Sequence, residues 1–313
     1  MLPAAPTATG LAPNTERDVK ILVTGKNGQV GFELQRALAP LGEVVAVNHA
    51  ECDLADADAI RALVRRVAPD VIVNPAAYTA VDKAEADQVT AFAVNTEAPR
   101  VLGEEAARLG ALVVHYSTDY VFNGKKEGAY AESDTPDPQS VYGRSKYEGE
   151  MALAQVNPRH LILRTSWVVG AHGGNFAKTM LRLAGERERL TVVADQFGAP
   201  TSAALLADLT AQLVRQHQRE GGENFPYGTY HVAAGGETSW HEYARFVIAE
   251  GLAAGKPLKA TPDAVSPLTT DQYPTPAKRP ANSRLNTARF RETFGLRLPH
   301  WQEGLRHVLQ QIL

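Results

Sequence analysis

The chain has 313 residues, 44% of them apolar, so it can bury a large core as about two domains or as one large α/β unit with an appendage. Its 32 basic and 35 acidic residues are spread along the chain and leave a formal charge of -3, with none of the basic tails or blocks that hold nucleic acid. Cys52 is the single cysteine, which rules out an intrachain disulfide, a thiolate zinc site and a Cys-x-x-Cys redox pair, and a cytoplasmic location is expected.

Residues 1–18 lack a basic n-region and are interrupted by Pro3, Pro6 and Pro13, a composition expected of a disordered tail rather than a signal peptide. No run of about 18 apolar residues follows, so no membrane span is expected. "VKILVTG" then reads as a strand ending in glycine, and "QVGFELQRALAPLG" as a helix with Val30, Leu34, Ala37 and Leu38 on one face. "EVVAVN" is a second strand. "DADAIRALVRRVAP" is a helix with Asp56 as candidate N-cap, and "DVIVN" is a third, buried strand. The pattern continues with a helix in "NTEAPRVLGEEAARLG", a strand in "ALVVHYSTD", a helix in "SKYEGEMALAQ" and a strand in "HLILRTSWV". Apolar strands alternating with amphipathic helices predict a Rossmann-like, doubly wound parallel sheet. Its expected extent is residues 19–170, with a returning segment near 203–235.

Beyond Trp167 the alternation loosens. A helix is expected through "AKTMLRLAGERE", a strand in "LTVVAD" and a turn-rich stretch in "QFGAPT". The prolines between Pro257 and Pro280 predict long loops rather than another βα repeat. A smaller α/β lobe is expected over 171–202 and 236–313.

"TGKNGQVG" sets Gly25, Gly28 and Gly31 three apart between the first strand and its helix. Backbone N–H groups there can approach a pyrophosphate, and the helix dipole favours its charge; the alternative is a glycine-rich turn with no ligand. At the end of the second strand stand Asn48, His49 and Ala50. Neither the acid that favours NAD nor the arginine that favours NADP is present, although Lys26 can reach a 2′-phosphate. Asp53 is a candidate for the adenine end, or a turn or cap residue.

Ligands of a doubly wound sheet bind outside the carboxyl ends of its strands. "NPAAYTAVD" and "STDYVF" leave the third and fourth strands, so Thr79, Asp82, Ser117, Thr118 and Asp119 are expected at one crevice. "VYGRSKYEGE" follows, with Tyr142 and Lys146 one helical turn apart on one face. Such a pair occurs by chance in roughly a third of chains of this composition, so its weight comes from its place in the fold. There the Lys146 ammonium is expected to lower the Tyr142 phenol pKa from about 10, making it an acid for a carbonyl oxygen. Lys146 can also hold a nicotinamide ribose, and the Thr118 hydroxyl can bond the same substrate oxygen.

Taken together, these features resemble the extended short-chain dehydrogenase/reductase superfamily and, within it, the dTDP-4-dehydrorhamnose reductases. The resemblance rests on "GKNGQVGFELQRAL", "AVDKAE", "HYSTDYVFNG", "VYGRSKYEGE", "LILRTSWV", "NFAKTMLRLA", "DQFGAPT" and "TPAKRPANSRLNT", and covers everything from about residue 20 onward. It implies an oxidoreductase that reduces the C4 ketone of dTDP-4-dehydro-β-L-rhamnose with NADPH or NADH. Thr118, Tyr142 and Lys146 would be catalytic. Gly25, Asn27, Gly28, Gln29, Val30 and Gly31, with Asp53, Leu54, Ala76, Ala77, Tyr142 and Lys146, would hold the cofactor. Thr79, Val81, Asp82, Ser117, Thr118, Tyr120 and Trp167 would line the sugar pocket, and the second lobe would hold the thymidine diphosphate. Arg279 and Arg284 are suited to a diphosphate by paired guanidinium bonds, or are solvated charges.

Two positions depart from the family pattern. Pro75 stands where a small residue such as alanine is usual, which removes one backbone donor. Glu33 stands where some relatives hold Mg²⁺ between the subunits of a homodimer, but residue 204 is alanine where another carboxylate is used, so only half of that bridge is present. The nine histidines form no His-x-x-x-His pair, and His115 reads as a core residue of the fourth strand. Two other functions stay open: an epimerase or dehydratase of the superfamily, disfavoured as a dehydratase because Tyr120 rather than glutamate follows Asp119, and a non-catalytic regulatory subunit, disfavoured by the intact Thr118, Tyr142 and Lys146.

Overall fold

The computed structural model describes residues 19–313; the tail expected over 1–18 lies outside the described residues. One sheet is formed by β1 (Lys20–Val23), β2 (Glu43–Ala46), β3 (Val71–Asn74), β4 (Leu112–Thr118), β5 (His160–Thr165) and β6 (Gly228–His231). All six strands run parallel in the order β6-β5-β4-β3-β1-β2. The order reverses between β1 and β3, which opens a crevice at their carboxyl ends.

Alternate residues of each strand serve opposite faces. Ile21, Val23, Val71, Val73, Val114 and Leu163 pack with Leu34 and Leu38 of α1 (Gln29–Leu38). Leu22, Ile72, Val113 and Ile162 face the other way, onto Ile60 and Val64 of α2 (Ala57–Val67) and Leu102 of α3 (Ala98–Leu109). Asp56 caps α2, its carboxylate accepting from the amides of Asp58 and Ala59 at 2.9 and 3.1 Å. The next helix, α4 (Val141–Val156), packs along α3, and α5 (Phe176–Glu186) begins the second lobe. α6 (Ala203–Glu220) packs on α1 and leads into β6, which extends the sheet beside β5. A separate cluster, with Met180, Leu190, Val192, Val247, Trp301 and Val308, joins α5 to α7 (Trp240–Ala253) and α8 (Trp301–Ile312).

Local structure departs from expectation in three places. α4 starts at Val141, four residues before the expected Ser145, because Ser140 caps it and accepts from Gly143 N at 3.1 Å. The entry to α3 is a wide π-type turn over Ala93–Glu97, with Asn95 buried. The proline-rich stretch is not all loop: Val265–Leu268 pairs in parallel with Leu190–Val193. Pro267 is tolerated there because a two-stranded sheet has only edges, where a missing N–H need not break a ladder.

α4 is tied to β5 by a buried ion pair, with the Arg164 guanidinium donating to the Glu150 carboxylate at 2.9 and 2.6 Å and both side chains nearly inaccessible. Removing one partner strands the other charge. Glu150→Ala is therefore expected to lower stability by about 3–5 kcal/mol, measured as a shift in the urea midpoint. A midpoint equal to that of the unaltered protein would contradict a stabilising role for the pair.

Candidate active site

β1 runs through Thr24 and Gly25 into α1. Gly25 has φ +62°, a left-handed conformation that side chains resist. A Cβ on Gly31 would stand 2.1 Å from the Gly25 carbonyl oxygen, so the helix can close onto this loop only through glycine. Gly28 caps α1 without a side-chain hydrogen bond. The first N–H groups of the helix therefore face a cavity of about 650 Å³, lined here by Asn27, Gly28, Gln29, Val30 and Gly31. An uncapped helix N-terminus behind a glycine-rich loop fits a pyrophosphate. The Gln29 side chain is already engaged: its Oε1 accepts from Gly170 N at 2.8 Å and Asn175 Nδ2 at 3.0 Å, which fastens the loop after β5 to the glycine turn.

A second cavity, of about 550 Å³, shares Gly25, Ala76 and Ala77 with the first and is lined by Asn48, Asp53 and Leu54. The predicted cofactor residues thus fall into two adjoining spaces. Beyond β2 stands an acid that the strand-end pattern did not identify. The Glu51 carboxylate accepts from Asn48 N at 2.8 Å and lies 2.7 Å from Lys26 Nζ, which holds it below the usual carboxylate range. Lys26, expected to reach a phosphate, is paired with Glu51 in this structure.

At the chemical end, Tyr142 occupies the first turn of α4 and Lys146 the second, and both line the larger cavity with Ser117, Thr118 and Asp119. A Cβ on Gly143 would stand 2.2 Å from the Tyr120 carbonyl oxygen, so the helix abuts the loop leaving β4. The Tyr120 and Tyr142 rings meet edge-on, with centroids 5.4 Å apart. Asn95, in the π-type turn, donates to Ser145 Oγ at 3.0 Å, and Thr96 donates to Ser145 O at 2.7 Å, which steadies α4 from its other side.

The expected lowering of the Tyr142 pKa is corrected by this geometry. Burial pushes the phenol up to about 12, the Asp119 charge adds to the rise, and only the Thr118 hydroxyl opposes it. The Lys146 ammonium does not offset this, because it points elsewhere: Nζ donates to Tyr116 O at 2.6 Å and lies 3.2 Å from His115 Nε2. Burial lowers Lys146 itself to about 8, against the raising charge of Glu150. Near neutral pH the pair is therefore a protonated phenol beside an ammonium. Asp119 is raised to about 6 by burial, which the Ser283 and Thr118 hydroxyls counter only in part.

Thr79, Val81, Tyr120 and Trp167 line the same cavity. Asp82 does not; its carboxylate accepts from Arg279 Nη2 at 2.7 Å and Ala277 N at 3.1 Å. Arg284 lines a smaller space of about 130 Å³ with Ser166, Gly198, Glu237 and Ser283. Trp167 has φ +49°, an outlier for a bulky residue, and stacks on Trp240 at 3.8 Å over Gly198, where a Cβ would meet its ring at 2.7 Å. Trp240 carried no sequence signal. Ser117 Oγ, Asp119 Oδ2 and Thr165 Oγ1 are buried around the cavity without partners, which suits a ligand rich in hydroxyls. Glu33, the expected half of a Mg²⁺ bridge, pairs with Arg36 at 3.4 Å, and no cluster of three or more metal-ligating side chains is found among the described residues.

Residues 19–313 match the family described as the RmlD substrate binding domain. The chain is 48% identical over 300 residues to a dTDP-4-dehydrorhamnose reductase of Shigella flexneri, covering 94% of this chain and 98% of that protein. It is 46% identical over 296 residues to one of Burkholderia thailandensis, covering 94% and 99%. The chain belongs to the dTDP-4-dehydrorhamnose reductase family. Solved structures agree: one from Clostridium acetobutylicum superposes with a TM-score of 0.85 at 36% identity, covering 93% of this chain and 99% of that one. One from Bacillus anthracis, in complex with NADP, gives 0.85 at 34% identity, covering 94% and 100%. Family membership makes the crevice the place to look for chemistry.

The raised pKa of Asp119 has a direct consequence for stability. A carboxyl whose folded pKa exceeds its unfolded value favours the fold most when protonated, so its contribution is full below about pH 4 and is lost as pH rises through about 6. Relative to the unaltered protein, Asp119→Asn should gain on the order of 2–3 kcal/mol between those limits. Denaturation midpoints across that range measure it, and a difference independent of pH would contradict the assignment.

Proposed function

We propose that this chain reduces the C4 ketone of dTDP-4-dehydro-β-L-rhamnose to dTDP-L-rhamnose with NADPH or NADH, and that Thr118, Tyr142 and Lys146 carry the chemistry. The observation that supports this best is one continuous cavity that joins the uncapped N-terminus of α1 to the Tyr142 phenol and the Lys146 ammonium. Similarity to dTDP-4-dehydrorhamnose reductases over nearly the whole chain, one of them solved in complex with NADP, supports the reaction and the cofactor.

The reduced nicotinamide, when bound, supplies the hydride. Tyr142 is protonated at neutral pH because burial disfavours the phenolate, and it donates that proton to the ketone oxygen. The Lys146 ammonium, which points away from the phenol, holds the nicotinamide ribose instead. The Thr118 hydroxyl orients the same oxygen. Asn27 to Gly31 bind the pyrophosphate, and Asp53, Leu54, Ala76 and Ala77 flank the adenosine half. Trp167, Thr79, Val81, Ser117 and Tyr120 exclude water around the sugar, and Arg284 meets the diphosphate. Asp82 acts in this scheme only through Arg279, with which it is paired. We assign 19–170 with 203–235 to cofactor binding and 171–202 with 236–313 to the sugar nucleotide. A single buried thiol, Cys52, and the absence of a membrane-crossing helix among the described residues fit work in the cytoplasm.

The test is NADPH oxidation, followed by absorbance, with the 4-keto sugar nucleotide generated in place by the upstream enzymes. Tyr142→Phe should lower kcat by about 10²–10⁴-fold. Because activity needs the ammonium, it should also fall as pH rises through about 8. Folded, unaltered protein that oxidises neither NADPH nor NADH in proportion to substrate would overturn the reading.

A further inference from the structure

Beneath the crevice a line of polar side chains crosses three strands where aliphatic residues would otherwise pack. Thr24 Oγ1 donates to Asn74 Oδ1 at 2.6 Å, Asn74 Nδ2 lies 3.0 Å from His115 Nδ1, and His115 Nε2 lies 3.2 Å from Lys146 Nζ. Thr24, Asn74 and His115 are at most 1% exposed and Lys146 is 2% exposed. A buried polar group without a partner is costly, so such a line persists only if every member is satisfied.

An ammonium has three donors. The carbonyl of Tyr116 takes one, at 2.6 Å, and the His115 ring is placed to take a second. Only the third is left for the crevice. His115 can accept because burial and the neighbouring Lys146 charge keep its pKa well below the ordinary value, so the ring is neutral. An accepting Nε2 places the ring proton on Nδ1, so the Asn74 amide is turned over from the orientation above, its oxygen accepting from Nδ1 and its nitrogen donating to the Thr24 hydroxyl; the two amide orientations occupy the same positions. The opposite polarity, with Nε2–H pointing at Lys146, suits only an uncharged amine. The direction of the whole line is therefore linked to the charge of one lysine.

We propose that His115 is a positioning residue for Lys146: with Asn74 and Thr24 behind it, its ring accepts from the ammonium, holds it charged, and aims its remaining N–H into the crevice. This rests on the reading of Lys146 as part of the reductase site. The other titratable or charged groups near Lys146 are Tyr142 and Glu150 on its own helix, Asp119 after β4, and Arg164 on β5, whose charge Glu150 meets. None of these groups is hydrogen-bonded to Nζ.

Two substitutions separate positioning from packing. His115→Asn keeps a partner for Asn74 but is too short to reach Lys146, whereas His115→Gln places an amide oxygen near the former Nε2. In His115→Asn the alkaline limb of kcat/KM should move to lower pH by about one unit, the equivalent of one hydrogen bond to a charged group, and turnover near neutral pH should fall about 10-fold. His115→Gln should restore both. Limbs unmoved in both variants, or equal losses in both with the limb in place, would overturn the proposal. The unaltered protein gives an independent measure that needs no substrate and no folded variant: nitrogen-15 NMR of labelled histidine should find His115 protonated at Nδ1 and bare at Nε2 near neutral pH. An Nε2–H tautomer there would overturn the proposal even if the enzyme is active. Conversely, an inactive wild type with a bare Nε2 would sink the reductase reading and leave the positioning role standing.

Discussion

A parallel strand buried on both faces can exist only if helices cover it on both sides, because its neighbours are joined by crossovers rather than hairpins. In this chain the condition is met by the aliphatic runs Ile21–Val23, Val71–Val73, Leu112–Val114 and Leu161–Leu163 of the central strands, which send alternate side chains to α1 and α6 on one face and to α2 and α3 on the other. The carboxyl ends of the strands open onto the two cavities. Everything chemical is therefore collected there, including the glycine turn after β1, Ala76 and Ala77 after β3, and Ser117 to Asp119 at the end of β4.

The same burial that stabilises the sheet sets the proton chemistry of the crevice. Desolvation raises Tyr142 and Asp119 and lowers Lys146, in each case by disfavouring the charged form. The result is a site biased towards neutral groups, in which one ammonium is kept charged by specific acceptors. Those acceptors, a backbone carbonyl and a neutral imidazole, come from β4 and not from the helix that carries the lysine. The helix is locked to the neighbouring strand β5 one turn further on by the Glu150–Arg164 pair, so the geometry of the phenol and ammonium depends on an interface that neither of them makes.

The two cores meet across side chains with structural work on both sides. Gln29 ties the loop after β5 to the glycine turn, Asp82 holds Arg279 across a sequence separation of 197, and Trp167 stacks on Trp240. The unusual backbone at Trp167 is held by that stack and by the absence of a side chain at Gly198. Strain of this kind persists where the surroundings overdetermine it, as they do at the rim of the crevice.

By itself the sequence determined the sheet, because hydrophobic period and helix caps act over a few residues: the strands, the Asp56 cap and the glycine turn were all legible. Also legible was the grouping of Thr118, Tyr142 and Lys146, because strand ends of a doubly wound sheet converge by topology. What only the tertiary structure decided depends on residues distant in the chain. The direction of the Tyr142 pKa shift was misjudged because burial, invisible in a four-residue motif, outweighs a nearby charge that points elsewhere. Glu51 went unrecognised because it lies past the strand end, in a turn that folds back onto Asn48 and Lys26. Asn74 and His115 read as ordinary strand positions, since nothing local marks a side chain whose partners lie 41 and 31 residues away. Local pattern encodes where the backbone goes; the state of a buried charge is set by whatever the fold brings against it.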